Sequence, residues 1–437
     1  MPDGSRNLRD RLQADTDLST GKVCTTVTRW DGSQLSDRAA GGGPTSLSAP
    51  VAVQRLPAVD ALRGFALLGI LVVNSTQIMN PYMSEGIREP GAAFVDEIAM
   101  WLVTALAAHK FYLLFSFLFG YSFTLQVASA DRDGVNFVPR YLRRSLGLLL
   151  LGMGHAVLLY NGDILMAYGL LGLVLLCARR ITPGAAARVA GWVYGAFGVI
   201  LTAAGALAAW AGEESGTNQA EVAKAVAAYR GDAGTVLQAN LDRLPDAVLG
   251  ILIMAPGVLA AFFLGLAAGK RNLLAHARTH RSQLVRIATI GLVVGVPGAV
   301  FFASASQGPL GERWQFLGIG VGMLTAPALS AAYACLLLLL LRSSWGDRTA
   351  RLLAPAGRMA LTNYLTQSVI MAFVATAYGL SLYGRMGTAA LMVLVAAIYG
   401  LQLAISSAWL RRFRLGPAEW LLRAVTLAGP PGERARP

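Results

Sequence analysis

Residues 65–73 run Phe65-Ala66-Leu67-Leu68-Gly69-Ile70-Leu71-Val72-Val73 without a charge, inside an apolar window at 60–79. About 20 such residues cross roughly 30 Å of hydrocarbon as a helix. The same pattern returns at Leu146–Tyr160 and Leu336–Leu341, each inside a window of similar length. Over the whole chain of 437 residues, 55% are hydrophobic and 14% charged, against roughly a quarter charged in ordinary soluble domains. A soluble fold has no interior large enough to hide that much apolar surface. Lipid offers no partner to a free backbone amide, so the spans are helical. A barrel would instead read as short alternating strands. The fold class is therefore all-α, a polytopic membrane protein.

About ten windows follow one another, at 60–79, 110–128, 143–160, 163–179, 188–211, 245–269, 284–305, 315–341, 360–380 and 388–410. The formal charge of +13 lies almost entirely between them. Placing the N-terminus in the cytoplasm collects Arg140, Arg143, Arg144, then Arg179, Arg180, Arg188, then Lys270, Arg271, Arg278, Arg281, Arg286 on the inner side. Arg342, Arg348, Arg351, Arg358 and finally Arg411, Arg412, Arg414, Arg423 fall there too. This positive-inside pattern puts both termini in the cytoplasm and accounts for the basic charge without a nucleic-acid partner. The lipid bilayer is the partner the composition demands.

The segment 94–108 is apolar enough to suggest another span, but counting it would turn the Arg140–Arg144 loop outward. It is expected as an amphipathic helix on the outer face or dipping partway in. The loop at 212–244 reads as an outer, partly helical excursion, with good helix formers from Ala220 to Ala228. Residues 1–54, polar and Gly/Ser/Thr-containing, read as a disordered cytoplasmic tail ahead of a membrane domain at 55–425, with a second tail at 426–437. Cys24, Cys177 and Cys335 have no paired spacing and no neighbouring His cluster, so neither a disulfide framework nor a metal site is expected.

Several polar residues interrupt the apolar windows. Asp60 and Arg63, three apart in the first window with Asn74 further along, can pair on one helix face. They serve either as a juxtamembrane anchor or as part of a site. Gly152-Met153-Gly154-His155 leads through Tyr160-Asn161-Gly162-Asp163 to Tyr168 as a tight hairpin. Asn-Gly suits the turn and Asp163 the cap of the next helix. His155, about two turns below the outer surface, Asp163 and Tyr168 are the parts of a general-base site in which a carboxylate fixes an imidazole. A lone His in an apolar helix is otherwise a packing residue.

Lys110 precedes an aromatic run, Phe111 through Phe119-Gly120, and reads as a snorkelling cation with an aromatic belt or as a substrate contact. Thr362, Asn363, Thr366 and Gln367 share a helical stripe that lipid would not tolerate. They either glue helices together or line a polar pocket, and the pocket is favoured. Arg140, Arg143 and Arg144 are explained by positive-inside bias or, more sharply, by the phosphates of a cytoplasmic cofactor. The candidate substrate contacts are thus Asp60, Arg63, Asn74, Lys110, Asn363 and Gln367.

At these residues the sequence resembles the YeiB-like family of bacterial inner-membrane proteins, from about Arg55 to Arg423. The likeness is carried by Asp60 through Ile70 with Asn74, by Lys110-Phe111 with Phe115 to Gly120, and by Arg143-Arg144 and His155-Ala156. It continues at Gly162-Asp163-Ile164-Leu165 with Tyr168, Gly357 through Tyr364, and Gly416-Pro417-Ala418-Glu419-Trp420 with Arg423. His109 stands where a small residue is usual. The family resembles a wider superfamily of transmembrane acyltransferases. That likeness implies acyl transfer from cytoplasmic acyl-CoA, as co-substrate, to a hydroxyl or amine of a glycan or other small-molecule acceptor. On it, His155 is the base or transient acyl carrier and Asp163 orients it. Arg143 and Arg144 take the CoA phosphates, and Asn363 and Gln367 shape the acceptor pocket. A homo-oligomer in the bacterial cytoplasmic membrane and a role in secondary metabolism are compatible expectations. A transporter or exporter is the alternative, motivated by the stripe and the charges of the first window.

Overall fold

The computed structural model describes residues 56–84, 88–212, 219–275 and 280–429. The expected tail at 1–54 and the stretch from 430 lie outside them. Among the described residues the chain is helical, with no strand. The helices are α1 (Pro57–Met79), α2 (Pro81–Ser84), α3 (Phe94–Leu106), α4 (Phe111–Arg132), α5 (Phe137–Leu158), α6 (Leu165–Cys177), α7 (Pro183–Ala211) and α8 (Gln219–Arg230). There follow α9 (Ala233–Asp242), α10 (Leu244–Lys270), α11 (Arg281–Gln307), α12 (Gln315–Leu340), α13 (Gly346–Arg358), α14 (Ala360–Ala375), α15 (Thr388–Arg412) and α16 (Pro417–Leu427).

Seven helical stretches among the described residues are long and apolar enough to cross a bilayer: α1, α3 with α4, α7, α10, α11, α12 and α15. Their outward faces carry bare apolar side chains, with Trp192 78% and Trp210 80% exposed on α7. Water would not tolerate such a surface, and lipid suits it. The chain is thus a multi-pass membrane protein. The windows at 143–160, 163–179 and 360–380 coincide with α5, α6 and α14, which fall outside those seven.

Local signals set the boundaries. Pro57 opens α1, and Pro81 follows its end at Asn80, where no proline amide can extend the ladder. Thr182 caps α7 through its Oγ ahead of Pro183, and Gly212 closes that helix in the left-handed region. Close packing rests on small residues. A Cβ on Gly265 would lie 2.0 Å from the Phe117 carbonyl oxygen, and one on Gly120 would lie 2.2 Å from that of Phe262, so α4 and α10 touch backbone to backbone. The same holds where Gly357 of α13 meets the Asp60 carbonyl of α1.

The 94–108 segment departs from the simple picture of a separate surface helix. It forms α3, which runs into α4 across a turn at 107–110, so the two are halves of one interrupted apolar stretch. Asp96 near the start of α3 accepts from the amide of Ala389 at the start of α15, while the Leu106 carbonyl at its end accepts from the Tyr333 hydroxyl of α12. In the turn His109 takes φ +67°. Lys110, 1% exposed, donates to the Thr104 carbonyl at 3.2 Å. The lysine is buried rather than snorkelling, and it lines neither of the two cavities described below. It satisfies a carbonyl at the end of α3 where lipid supplies no water.

The described residues 219–244 of the expected, partly helical excursion form α8 and α9, joined by a capping box in which Asp232 and Thr235 bond reciprocally. Arg230 donates to the Tyr383 carbonyl, and Asn240 to that of Val157. These bonds tie the excursion to the 376–387 loop and to the end of α5.

Candidate functional site

The α5–α6 hairpin brings His155 and Asp163 together. His155 Nδ1 lies 3.0 Å from Asp163 Oδ1, both side chains being 1% exposed. The ring is turned off the line of a hydrogen bond, and neither imidazole nitrogen has a hydrogen-bond partner among the described residues. Asp163 Oδ2 accepts from the Met166 amide at 2.7 Å, the capping role read from its position ahead of α6. Gly152 makes this approach feasible, because a Cβ there would sit 2.5 Å from Asp163 Oδ2 and 2.6 Å from the Met166 amide nitrogen.

The tyrosine of the site is not the one expected. Tyr168 points away from His155: its hydroxyl pairs with Ser116 at 2.8 Å and its ring packs on Phe119 and Phe262. Tyr364 of α14 takes that place, with its hydroxyl 3.4 Å from Asp163 Oδ1 and its ring centroid 5.1 Å from that of His155. Tyr160 closes the other side and donates to Gln77 Oε1.

Two cavities lie nearby: Asp163 lines the first, and His155 lines neither. One, about 600 Å³, lies by the α5–α6 turn. Asn74, Gln77, Asn161 and Asp163 line it, the strained His109 and Gln307 border it, and Tyr229, Asn240, Arg243 and Asp246 reach it from α8–α10. The second, about 450 Å³, is lined by Arg63, Arg140, Arg144, Arg358 and Arg423, with Glu419 the carboxylate among its lining residues. Ile70, Ile164 and Tyr364 line both, so they form the wall between.

The arginine cavity rearranges the expected cluster. Arg143 lies on the exposed side of α5 and does not line it, whereas Arg140 and Arg144, one turn apart, do. Arg63 pairs with Asp60 at 2.8 Å, as the three-residue spacing implied, and Arg140 with Asp133 at 3.3 Å. Arg144 instead lies over the Phe119 ring, 5.9 Å from its centroid, with Nε shut from solvent and unpartnered. Glu419 Oε1 accepts from the amides of Leu361 and Thr362, and Oε2 accepts from the Thr362 hydroxyl, so the carboxylate caps α14 from a neighbouring helix. Burial pushes the Glu419 carboxyl up from its ordinary value, and these donors oppose the shift.

The polar stripe of α14 is glue rather than a pocket. Asn363 donates to Ser406 Oγ and to the Ala356 carbonyl, and Gln367 donates to Gln402, which in turn donates to the Asn363 carbonyl and Thr366 Oγ. Neither Asn363 nor Gln367 lines either cavity. An unpaired amide in an apolar layer is costly, so partners on α15 bind the two helices together. Of the expected substrate contacts, Asn74 faces the turn-side cavity and Arg63 the arginine cavity, while Asp60 stands behind Arg63. In the sequence, Tyr364 and Glu419 stand out only as parts of the Gly357–Tyr364 and Gly416–Trp420 motifs. The signal that could have found Tyr364 was its place beside a polar stripe, one residue after Asn363.

A bundle of apolar helices enclosing a buried His–Asp pair, with Asp163 lining one of two nearby cavities, defines a membrane protein with a candidate internal site. With relatives 32% and 30% identical over nearly their whole length, the chain belongs to the YeiB-like family of bacterial membrane proteins. Residues 268–429 match the family described as "Protein of unknown function (DUF418)". "Uncharacterized protein YxaH" of Bacillus subtilis (strain 168) is 32% identical over 399 residues, covering 87% of this chain and 96% of that protein. "Uncharacterized protein YeiB" of Escherichia coli (strain K12) is 30% identical over 420 residues, covering 86% of this chain and 98% of that protein.

Proposed function

We propose that the protein is a membrane-embedded acyltransferase. It moves an acyl group, acetyl in the simplest case, from acyl-CoA to a hydroxyl or amine of a glycan, lipid or secondary metabolite. The observation that carries this reading is the buried His155–Asp163 pair beside the wall between two cavities. A transfer enzyme needs donor and acceptor held apart from water and brought together at one base.

The topology that suits this reading has ten crossings, made by α1, the interrupted α3–α4, α5, α6, α7, α10, α11, α12, α14 and α15. Treating α3–α4 as one broken crossing keeps the cations of the 132–144 loop inside, and both termini are then cytoplasmic in the bacterial inner membrane. The arginine cavity faces the cytoplasm and admits the donor, while the turn-side cavity faces outward and admits the acceptor. When the wall of Ile70, Ile164 and Tyr364 opens, the acceptor oxygen or nitrogen attacks the thioester carbonyl and His155 takes its proton. The C–S bond breaks, the sulfur leaves with the electron pair, and it is protonated to free CoA. Asp163 stabilises the imidazolium, a role that requires no hydrogen-bond alignment before the proton arrives.

Purified protein incubated with acetyl-labelled CoA tests this. Label passed from CoA to an acceptor or to water by wild type, and lost in His155→Ala at normal membrane expression, supports the reading. Full activity in that variant removes His155 from the chemistry. A second reading, transport, is favoured by one feature, the interruption of α3–α4 beside a cavity, since broken helices line the binding sites of many transporters. Substrate flux in sealed vesicles without CoA would support it against the first.

A further inference from the structure

In the arginine cavity the guanidinium of Arg144 makes no ion pair within 4.0 Å, although the Glu419 carboxylate lines the same cavity and its charge reaches Arg144. Arg63 has Asp60, Arg140 has Asp133, and both oxygens of Glu419 are engaged at the start of α14. The guanidinium of Arg144 lines the same cavity against an aromatic ring, and its Nε is buried without a hydrogen bond. A cation so placed is costly unless an anion joins it, and a planar guanidinium matches the oxygens of a phosphate. Away from the arginines the lining turns apolar, with Phe115, Leu118, Leu148 and Leu165, and it ends on Ile70, Ile164 and Tyr364. The ligand that fits carries its negative charge at one end and an arm with no charge at the other.

The length of that arm is set by α5. Arg144 and His155 are eleven residues apart on one helix, a rise of about 16 Å. In a phospholipid or a polyprenyl phosphate the reacting carbon lies within about 5 Å of the phosphate, by ordinary bond lengths. Such a ligand cannot hold its phosphate on Arg144 and present its reactive carbon near His155. A phosphopantetheine arm runs about twelve bonds from phosphate oxygen to thioester sulfur, roughly 15 Å when extended.

We infer that the arginine cavity holds a phosphopantetheine thioester, its phosphate on Arg144 beside Arg63 and its thioester at the Tyr364 wall. The assignment rests on the acyl-transfer reading for what then happens at the wall. It goes further in making the phosphate of the arm, rather than the nucleotide of CoA, the recognised group.

The test uses full-length protein in phosphatidylcholine nanodiscs, titrated calorimetrically with CoA, 4′-phosphopantetheine and pantetheine. Wild type binds the first two comparably and pantetheine roughly 10- to 100-fold more weakly, the span expected for losing a charge-assisted pair. Arg144→Gln abolishes that difference, Arg144→Lys restores part of it, and Arg143→Gln leaves it intact. Equal binding of pantetheine and 4′-phosphopantetheine by wild type overturns the inference and requires no variant to fold. So does displacement of CoA by nanodiscs containing phosphatidylglycerol, which would make this a lipid-headgroup site. Phosphate-dependent binding with no label transferred leaves the site standing and defeats the acyltransferase reading. Transfer with no phosphate dependence does the reverse.

Discussion

Glu419 holds the start of α14 from outside that helix, so removing it should free one end of the helix that carries Tyr364. Its Oε1 accepts from the Leu361 amide at 2.7 Å and the Thr362 amide at 3.2 Å, and Oε2 accepts from the Thr362 hydroxyl at 2.6 Å. The Thr362 hydroxyl oxygen in turn accepts from the Ala418 amide at 3.0 Å. Loss of an N-terminal cap costs about 1 kcal/mol, and a half-buried amide left without a partner costs about 1–3 kcal/mol. Glu419→Ala should therefore cost about 2–4 kcal/mol, concentrated at the first turn of α14. By the usual tenfold per 1.4 kcal/mol, amide exchange at Leu361 and Thr362 should quicken about 30- to 700-fold.

Glu419→Gln separates capping from charge. The glutamine Oε1 can still accept both amides, and its Nε2 can donate to the Thr362 oxygen, so it should cost less than about 1 kcal/mol. The raised carboxyl adds a pH signature. A carboxyl with an elevated folded-state pKa contributes stability that is fully present below its ordinary value of 4.5 and lost as pH rises through the raised value. Wild type should lose stability over that window, and Glu419→Gln should not. Hydrogen exchange read by mass spectrometry, with thermal melting in detergent across pH, gives both numbers. Equal damage from Ala and Gln, or unchanged exchange at Leu361 and Thr362 in the Ala variant, would refute the capping account.

Three further perturbations follow from the packing. Gly152→Ala drives a Cβ into Asp163 Oδ2 and the Met166 amide and should cost about 1–3 kcal/mol. Gly154→Ala meets nothing within 4 Å and should melt like wild type, so equal melting of the two variants would refute the hairpin geometry. Lys110→Met leaves the Thr104 carbonyl without its donor and should lower stability by about 1–3 kcal/mol in detergent titrations; an unchanged midpoint would deny the lysine its capping role. Gln402→Leu removes the bonds to Gln367, Thr366 and the Asn363 carbonyl. At about 0.6 kcal/mol for an average membrane hydrogen bond it should cost about 1–3 kcal/mol. A gain in stability on thermal melting would show that lipid-like packing serves that interface better.

Much of the fold was legible because lipid imposes a length rule. Every apolar window read from the sequence falls on a helix of the structure, and the Asn161-Gly162 turn and Asp163 cap follow from local chemistry. What the rule could not give was partnership. Arg143 and Arg144 look alike in sequence, yet a rotation of about 100° between neighbours sends one to the surface and the other to the cavity. Asn363 and Gln367 look like pocket residues until Ser406 and Gln402, some 40 residues later, arrive to pair with them. Tyr168 and Tyr364 are interchangeable candidates on a linear string. Only the tertiary fold decides which ring lies on His155.

The site and the length rule are connected in the opposite sense. At about 1.5 Å per residue, α6 with 13 residues rises roughly 20 Å and α14 with 16 roughly 24 Å, both short of a 30 Å core. The α3–α4 stretch is long enough but broken at 107–110. These imperfect segments supply Asp163, Tyr168, Tyr364 and His109, and the longer α1 and α5 add Asn74, Arg63, Arg144 and His155 from their inward faces. The face of a helix that meets lipid has nothing left to offer a ligand. Polar groups can gather within the bilayer only where a segment stops short, turns, or borrows a cap such as Lys110 or Glu419 from elsewhere in the chain. In a membrane protein of this kind, the places where span periodicity fails are where the chemistry should be sought.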